Sequence, residues 1–374
     1  MPSATPFSAT DHALMAEALR WARKGLYSTA PNPRVGCIIA RDGQVLGRGF
    51  HERAGSAHAE VVALAEAGSQ ATGATAYVTL EPCAHQGRTP PCADALIQAG
   101  LRRVVVAAED PDPRVNGQGI RRLREAGIPC DVGLMRQSAI DLNCGFYSRI
   151  QRGRPWLRVK LAVSLDGRTA AADGSSQWIT SDAARSDGHR WRARADVIIT
   201  GIGTVLADDP RLDVRLPEAG APFNPTPAVV VMDSGARLPA NARLLRTGAR
   251  VLQVVAPGAP PSPAGVERLE LPAGTDGRPD PAALLAWLGR NGFNEAHLEA
   301  GPTLAGTVLG RALADELLLY QATTLLGDRG RAMVAIPALE RLDQRLHFTL
   351  LEQRRIGTDW RLLLRATPTR NEDR

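Results

Sequence analysis

The chain is almost without lysine: of 45 basic residues, only Lys24 and Lys160 are not arginine. Chance and a need for a compact ammonium account for Lys160 equally well, and the position is kept as a candidate on the second ground. Long apolar runs are missing too. Stretches such as Val104 to Ala108 are far too short to cross a bilayer. The N-terminus lacks the basic start and apolar stretch of a signal peptide, so a cytoplasmic protein with no membrane partner is expected. The five cysteines are odd in number and form no dense framework, which argues against disulfides. The net charge of +6 is modest, and the arginines are scattered with no aromatic-interleaved basic patch. No nucleic-acid partner is expected; solvated faces and sites for small phosphorylated molecules explain the charge. There is no internal repeat and no low-complexity tract. No Gly-x-Gly-x-x-Gly follows a strand, so a Rossmann site is not expected. A homo-oligomer is left open.

What is present is enough chain for two domains, at 374 residues. A helix is expected from Ser8 or Thr10 to Leu26, with Leu14, Met15, Ala18, Leu19 and Ala22 as its apolar stripe. Val35 to Ala40 and Val45 to Phe50 flank Asp42-Gly43 and read as a hairpin. His58 to Ala67 reads as a helix whose Val61, Val62 and Leu64 face the core, stopped by Gly68. Strands at 76–80, 103–108 and 128–132 then alternate with helices at 92–99 and 120–126, which implies parallel crossovers and a three-layer α/β/α sheet. One helix is expected over Leu134 to Ile150. Gln151 to Pro155 breaks the pattern, and the boundary is placed there, giving domains 1–153 and 154–374. The second domain should contain strands at 156–163, 196–200, 228–232, 250–255, 296–299, 316–322, 347–352 and 359–365. Its helices are expected at 182–194, 281–291 and 304–314, with loops at 212–227 and 257–265.

The chemistry concentrates in His58-Ala-Glu60, Pro82-Cys83 and Cys92. One imidazole and two thiols fill three corners of a zinc tetrahedron and leave the fourth for water, the open arrangement of a catalytic site. Two thiolates and a neutral imidazole cancel the charge of Zn²⁺. The order His-x-Glu, then Pro-Cys, then Cys is that of zinc deaminases acting on nucleobase-like rings. His58 and Cys92 should each open a helix, where partial positive charge favours thiolate. Glu60 is placed to take a proton from the water and pass it to the departing amine. Cys37, Cys130 and Cys144 lie on or beside apolar segments and read as packed residues rather than ligands. Residues 84–91 separate the two cysteines, where most zinc deaminases have two residues. In the second domain, Gly301 stands between a strand and a helix, so Gly301, Pro302, Thr303, Leu304, Ala305, Gly306 and Thr307 read as a cradle for a cofactor pyrophosphate.

The insert Ala84-His85-Gln86-Gly87-Arg88-Thr89-Pro90-Pro91, which runs into Cys92 as Gly-Arg-Thr-Pro-Pro-Cys, together with Ala30 to Gly36 and Gly49-Phe50-His51, closely resembles the deaminase part of the bifunctional riboflavin-biosynthesis deaminase–reductases. Val159 to Arg168, Gln177 to Thr180, Gly203 to Pro210 and Glu299 to Leu304 resemble the reductase part of the same family, over nearly all the remaining chain. Ala300 stands where many relatives have a first glycine. The resemblance implies a cytidine-deaminase-like α/β/α domain followed by a dihydrofolate-reductase-like α/β domain. It implies zinc-dependent deamination of a phosphorylated ribosylamino-pyrimidinone, then NADPH-dependent reduction of the ribosyl chain to ribityl. By the same resemblance Asn32, His51 and His85 hold the pyrimidine ring and Arg88 the ribose phosphate. Asn32 as a turn residue and His51 as a satisfied surface residue remain alternatives. Ala162, Trp178, Thr204, Asp208 and Ser234 would line the NADPH site; Ser176, Arg192, Leu212, Arg215 and Glu299 would meet the substrate. Arg192 and Arg215 suit a phosphate by their paired donors, with surface salt bridging as the alternative. Lys160 and Glu299 are candidates to orient the ribose carbon that accepts hydride.

Overall fold

Ser8 and Asp11 close a reciprocal cap at the start of α1 (Ala9–Ala22): the Asp11 amide donates to Ser8 Oγ at 3.0 Å and the Ser8 amide to Asp11 Oδ2 at 2.9 Å. The pairing satisfies two amides that a helix start leaves bare. The computed structural model to which it belongs describes residues 7–84, 91–216, 226–274 and 276–367. It divides into two compact units, Met1–Gly153 and Arg154–Arg374.

In the first unit β1 (Gly36–Arg41), β2 (Gln44–Phe50), β3 (Thr75–Val78), β4 (Arg103–Val106) and β5 (Cys130–Val132) form one sheet in the order β2-β1-β3-β4-β5. β1 runs antiparallel to β2 and to β3, whereas β3, β4 and β5 are parallel. Alternate residues feed opposite layers, as the pleat requires. Ile39, Val78 and Val104 pack with α2 (Ala59–Ala67), α3 (Cys92–Gln98) and α4 (Gln118–Glu125). Ile38, Tyr77 and Val105 pack with α1 on the other face, and the result is an α/β/α sandwich.

Two expectations for this unit are corrected. Val61 and Val62 of α2 do not face the core; they are 37% and 38% exposed, and Ala59, Glu60, Ala63 and Ala67 are buried instead. The cause lies on β2. A Cβ on Gly47 would stand 2.1 Å from the Ala63 carbonyl oxygen, and one on Gly49 would stand 2.0 Å from that of Ala59. The helix rests so closely on these glycines that only alanine-sized residues fit beneath it. The helix expected over Leu134 to Ile150 is two helices, α5 (Arg136–Leu142) and α6 (Cys144–Arg152). Between them Asn143 turns its buried side chain onto the Arg34 backbone, accepting from its amide at 2.7 Å and donating to its carbonyl at 2.9 Å.

The second unit runs β6 (Trp156–Val163), β7 (Arg168–Ala170), α7 (Asp182–Arg194), β8 (Val197–Gly201), α8 (Ile202–Asp208), β9 (Ala228–Met232), β10 (Val251–Val255) and β11 (Glu267–Glu270). It continues with α9 (Pro281–Arg290), β12 (Glu295–Leu298), α10 (Pro302–Gly310), β13 (Glu316–Gln321), β14 (Arg331–Ala332), β15 (Phe348–Ile356) and β16 (Asp359–Ala366). The large sheet has the order β11-β10-β9-β8-β12-β6-β13-β16-β15, and β7 pairs with β14 apart from it. Neighbours from β11 to β13 are parallel; β16 and β15 are antiparallel. The short elements β7, β11, β14 and α8 were not expected. α8 follows β8 directly, with Gly201 in extended conformation at its start. α10 starts with Pro302 in its first turn after Gly301, where a missing amide costs nothing.

One face of this sheet is apolar and covered by α9 and α10. The other, under α7, carries buried charge. Arg158 is fully enclosed; it donates to Glu316 at 2.9 and 2.7 Å and to Glu295 at 3.3 Å, with its guanidinium 4.6 Å from the Trp191 ring. Tyr320 and Arg361 both donate to Asp187 on α7. Buried charges persist only when paired and hydrogen-bonded. Among the described residues, no helix is long and apolar enough to cross a membrane.

Candidate active sites

His58 caps α2 and Cys92 is the first residue of α3, while Cys83 lies in the segment after β3. The fold brings the three together. One ligand atom from each lies within 4.8 Å of the others. His58 Nδ1 stands 3.0 Å from Cys92 Sγ and 3.7 Å from Cys83 Sγ. Bonds of about 2.0–2.3 Å from a tetrahedral zinc put such atoms about 3.5–3.8 Å apart, so the donor set fits that ion. Cys83 Sγ accepts the Cys92 backbone amide at 3.3 Å. A hydrogen bond from Cys92 lowers the Cys83 thiol to about 4, and the same bond with burial pushes Cys92 upward.

Glu60, two residues into α2 from His58, is 3% exposed. Burial pushes its carboxyl up to about 7, against the pull of its helix-start amide and of His58. Beside it His51 is also buried, 3% exposed, which removes the surface reading. Its Nδ1 donates to the Ala57 carbonyl at 3.2 Å, which leaves Nε2 to accept from Asn32 Nδ2 at 3.0 Å. Its ring meets that of His58 edge-on at 5.4 Å. Asn32, His51, His58 and Glu60 thus converge. His85 and Arg88 lie outside the described residues.

The second unit has a cleft of about 1720 Å³ at the carboxyl ends of β6, β8, β9 and β12. That is where open α/β sheets bind ligands. Ala162, Trp178, Thr204, Asp208 and Ser234 line it, as do Ser176, Arg192, Leu212, Arg215, Glu299 and Lys160. Trp178 is 68% exposed with the Arg185 guanidinium 4.3 Å from its ring, so it is not a core residue. The cradle is shorter than expected. Gly301, Pro302, Thr303, Leu304 and Thr307 reach the cleft, but Ala305 is buried in the core and its amide donates to Gly301. Gly306 turns the other way, where a Cβ would stand 2.1 Å from the Ala335 carbonyl oxygen.

The polar floor of the cleft is organised around Glu299. Arg192 grips it by Nε and, at 2.9 Å, by Nη2, and Lys160 Nζ lies 3.7 Å away. Burial opposes the Glu299 charge, but these two cations outweigh it and hold the carboxyl well below its usual range. Arg192 also donates to the Asp213 carbonyl at 3.1 Å, so three of its five N–H donors are engaged within the protein. Arg215 is the more available arginine, beside Asp213 at 3.4 Å and His189 at 3.2 Å. Sequence reasoning missed His189, which burial and the two arginines push down to about 4. It also missed His297, fully buried 3.5 Å below Glu299. The alternation Glu295-x-His297-x-Glu299 is a signal that was present.

Residues 155–362 match the RibD C-terminal domain family, and residues 8–108 match the cytidine and deoxycytidylate deaminase zinc-binding region. The chain is 46% identical over 358 residues to riboflavin biosynthesis protein RibD of Escherichia coli strain K12, covering 93% of this chain and 97% of that protein. It is 42% identical over 376 residues to RibD of Haemophilus influenzae, covering 95% and 97%. The structure of RibD from Acinetobacter baumannii is similar with a TM-score of 0.88 at 44% identity, over 96% of this chain and 99% of that one. A diaminohydroxyphosphoribosylaminopyrimidine deaminase/5-amino-6-(5-phosphoribosylamino)uracil reductase from Thermotoga maritima gives 0.85 at 29% identity, over 96% and 99%.

Proposed function

This chain belongs to the RibD family of riboflavin-biosynthesis proteins, and on that footing we propose how its residues divide two reactions between them. The protein is a bifunctional deaminase and reductase of riboflavin biosynthesis, with zinc and NADPH as its cofactors. We assign deamination to residues 1–153 and reduction to 154–374. The substrates assigned are those named for the Thermotoga relative, a phosphoribosylamino-pyrimidine for the deaminase and a phosphoribosylamino-uracil for the reductase.

His58, Cys83 and Cys92 hold zinc, which when bound supplies the Lewis acidity that makes water a nucleophile near neutral pH. Asn32 and His51 orient the ring, and His85 and Arg88 are assigned to the ring and the phosphate. Glu60 takes the proton that the attacking water gives up and delivers it to the departing nitrogen, which leaves as ammonia. Without that transfer the leaving group would be an amide anion. The observation that carries this reading is the convergence of three ligand atoms within 4.8 Å beside the buried Glu60.

In the second unit NADPH, when bound, supplies the hydride. Gly301 to Leu304 and Thr307 hold its pyrophosphate at the start of α10. Ala162, Trp178, Thr204, Asp208 and Ser234 line the rest of the cofactor site. Ser176, Leu212 and Arg215 hold the substrate, with Arg215 on the phosphate. Glu299, fixed by Arg192, and Lys160 orient the ribosyl carbon that is reduced.

The test is Glu60→Gln. It keeps its zinc, ammonia release falls by about 10²-fold or more, and NADPH oxidation on the deaminated substrate continues. Ammonia release at the wild-type rate removes the assignment of Glu60.

A further inference from the structure

Glu81 stands two residues before Cys83 and is 4% exposed, yet no cationic side chain neutralises it among the described residues. Its partners are backbone amides. Oε2 accepts from Asp110 at 3.2 Å and Gly117 at 2.9 Å; Oε1 accepts from Gly119 at 3.0 Å and Ile120 at 3.3 Å. Those four bonds saturate the acceptor capacity of a carboxylate. They also fill a need. α4 begins after Gly117, a left-handed residue with no side chain to cap the helix. Glu81 supplies the missing cap from a distant segment, and the positive end of α4 favours its charge.

The contact continues into the next residue. A Cβ on Gly119 would stand 1.8 Å from the Pro82 carbonyl oxygen, so the Pro82 backbone lies directly on the first turn of α4. The Glu81 amide donates to Ala108 at 2.9 Å and fixes the other edge. Cys83 comes immediately after. From its far side it is held by α3, whose Ala93 amide donates to the Cys83 carbonyl at 3.1 Å and whose Cys92 amide donates to Cys83 Sγ at 3.3 Å.

We propose that Glu81 is a positioning residue for Cys83: it clamps the Glu81-Pro82 backbone onto the start of α4 and so sets the sulfur at bonding distance for zinc. The proposal rests on the reading of His58, Cys83 and Cys92 as zinc ligands. It assigns a role to a carboxylate that touches neither metal nor substrate. Metal ligands must sit within about 0.2 Å of their bonding distances, and removing a group that orients a ligand typically costs about 10–100-fold in metal affinity.

The experiment uses the full chain and two variants. Glu81→Gln replaces one acceptor oxygen by a donor that faces amide hydrogens. Gly119→Ala leaves the carboxylate in place and drives a methyl group against the Pro82 carbonyl. Zinc affinity is read by competition with a chelator, and ligand geometry by the visible absorption bands of the cobalt-substituted protein. Both variants are expected to bind zinc about 10–100-fold more weakly, with shifted cobalt bands, while NADPH oxidation on the deaminated substrate is unchanged. Zinc affinity within about twofold of wild type together with unaltered cobalt bands overturns the proposal, whatever happens to the melting temperature. Should Glu81→Gln leave the first unit unfolded by circular dichroism, Gly119→Ala decides alone by the same readings. A wild-type chain that binds no zinc sinks the deaminase reading itself, and is told apart from variants that bind zinc as well as wild type, which sink this proposal only.

Discussion

Asp11 is buried at the first turn of α1, and that burial works against its charge. The Tyr77 hydroxyl at 2.7 Å, the Ser8 amide and Arg103 at 2.8 Å outweigh the penalty and hold the carboxyl at about 2, below its ordinary 3.8. A carboxyl with a depressed folded pKa stabilises the fold above its unfolded value, and that contribution is lost as pH falls through the folded one. Urea midpoints of the first unit should therefore drop between about pH 4 and pH 2. In Asp11→Asn that part of the acid limb should be missing; an identical limb in the variant contradicts the assignment. Arg192→Lys should keep the positive charge beside Glu299 but lose its two-pronged grip, lowering kcat for reduction by about tenfold while deamination stays unchanged. Legibility at this scale follows from local chemistry. His58, Cys83 and Cys92 stand out because each sits in a short motif at an element's edge. Arg158, His297 and Glu81 do not, because a charged residue in a strand, or after one, reads as solvent-facing until its partners from remote segments are known.

The glycines of β2 govern α2. Gly47→Ala or Gly49→Ala should cost about 1–3 kcal/mol by forcing the helix off the sheet, measured by denaturant unfolding. Because α2 begins at His58 and carries Glu60, ammonia release should fall further than the stability loss alone predicts. The charged face under α7 predicts a second effect. Arg158→Met leaves Glu316 and Glu295 without their shared cation, and should destabilise the second unit by about 3–5 kcal/mol. A loss below about 1 kcal/mol would mean that Arg194 and Arg365, which also reach these acids, suffice. α1 was legible from its cap and stripe, and the β1–β2 hairpin from alternation around Asp42-Gly43. The buried side of α2 was not, since hydrophobicity points to valine while closeness of approach selects alanine. The break at Asn143 was hidden for a similar reason: its cause is the Arg34 backbone, more than a hundred positions away in the chain.

For the whole molecule, the alternation of strands and helices, and hence the α/β class, could be read from the sequence. The strand order could not, because crossovers such as β12 entering between β8 and β6 depend on pairings that no local pattern encodes. Treating the protein with a chelator should abolish ammonia release and leave NADPH oxidation on the deaminated substrate intact, with zinc restoring the first activity. Loss of both activities would mean that the metal supports more than the first unit. That separability has a root in the hydrogen-bond ladders. Among the described residues, β1 to β5 make up one sheet, and β6 to β16 make up the others. Among the described residues a cut after Gly153 would divide no sheet, leaving two selvedged cloths rather than a torn one.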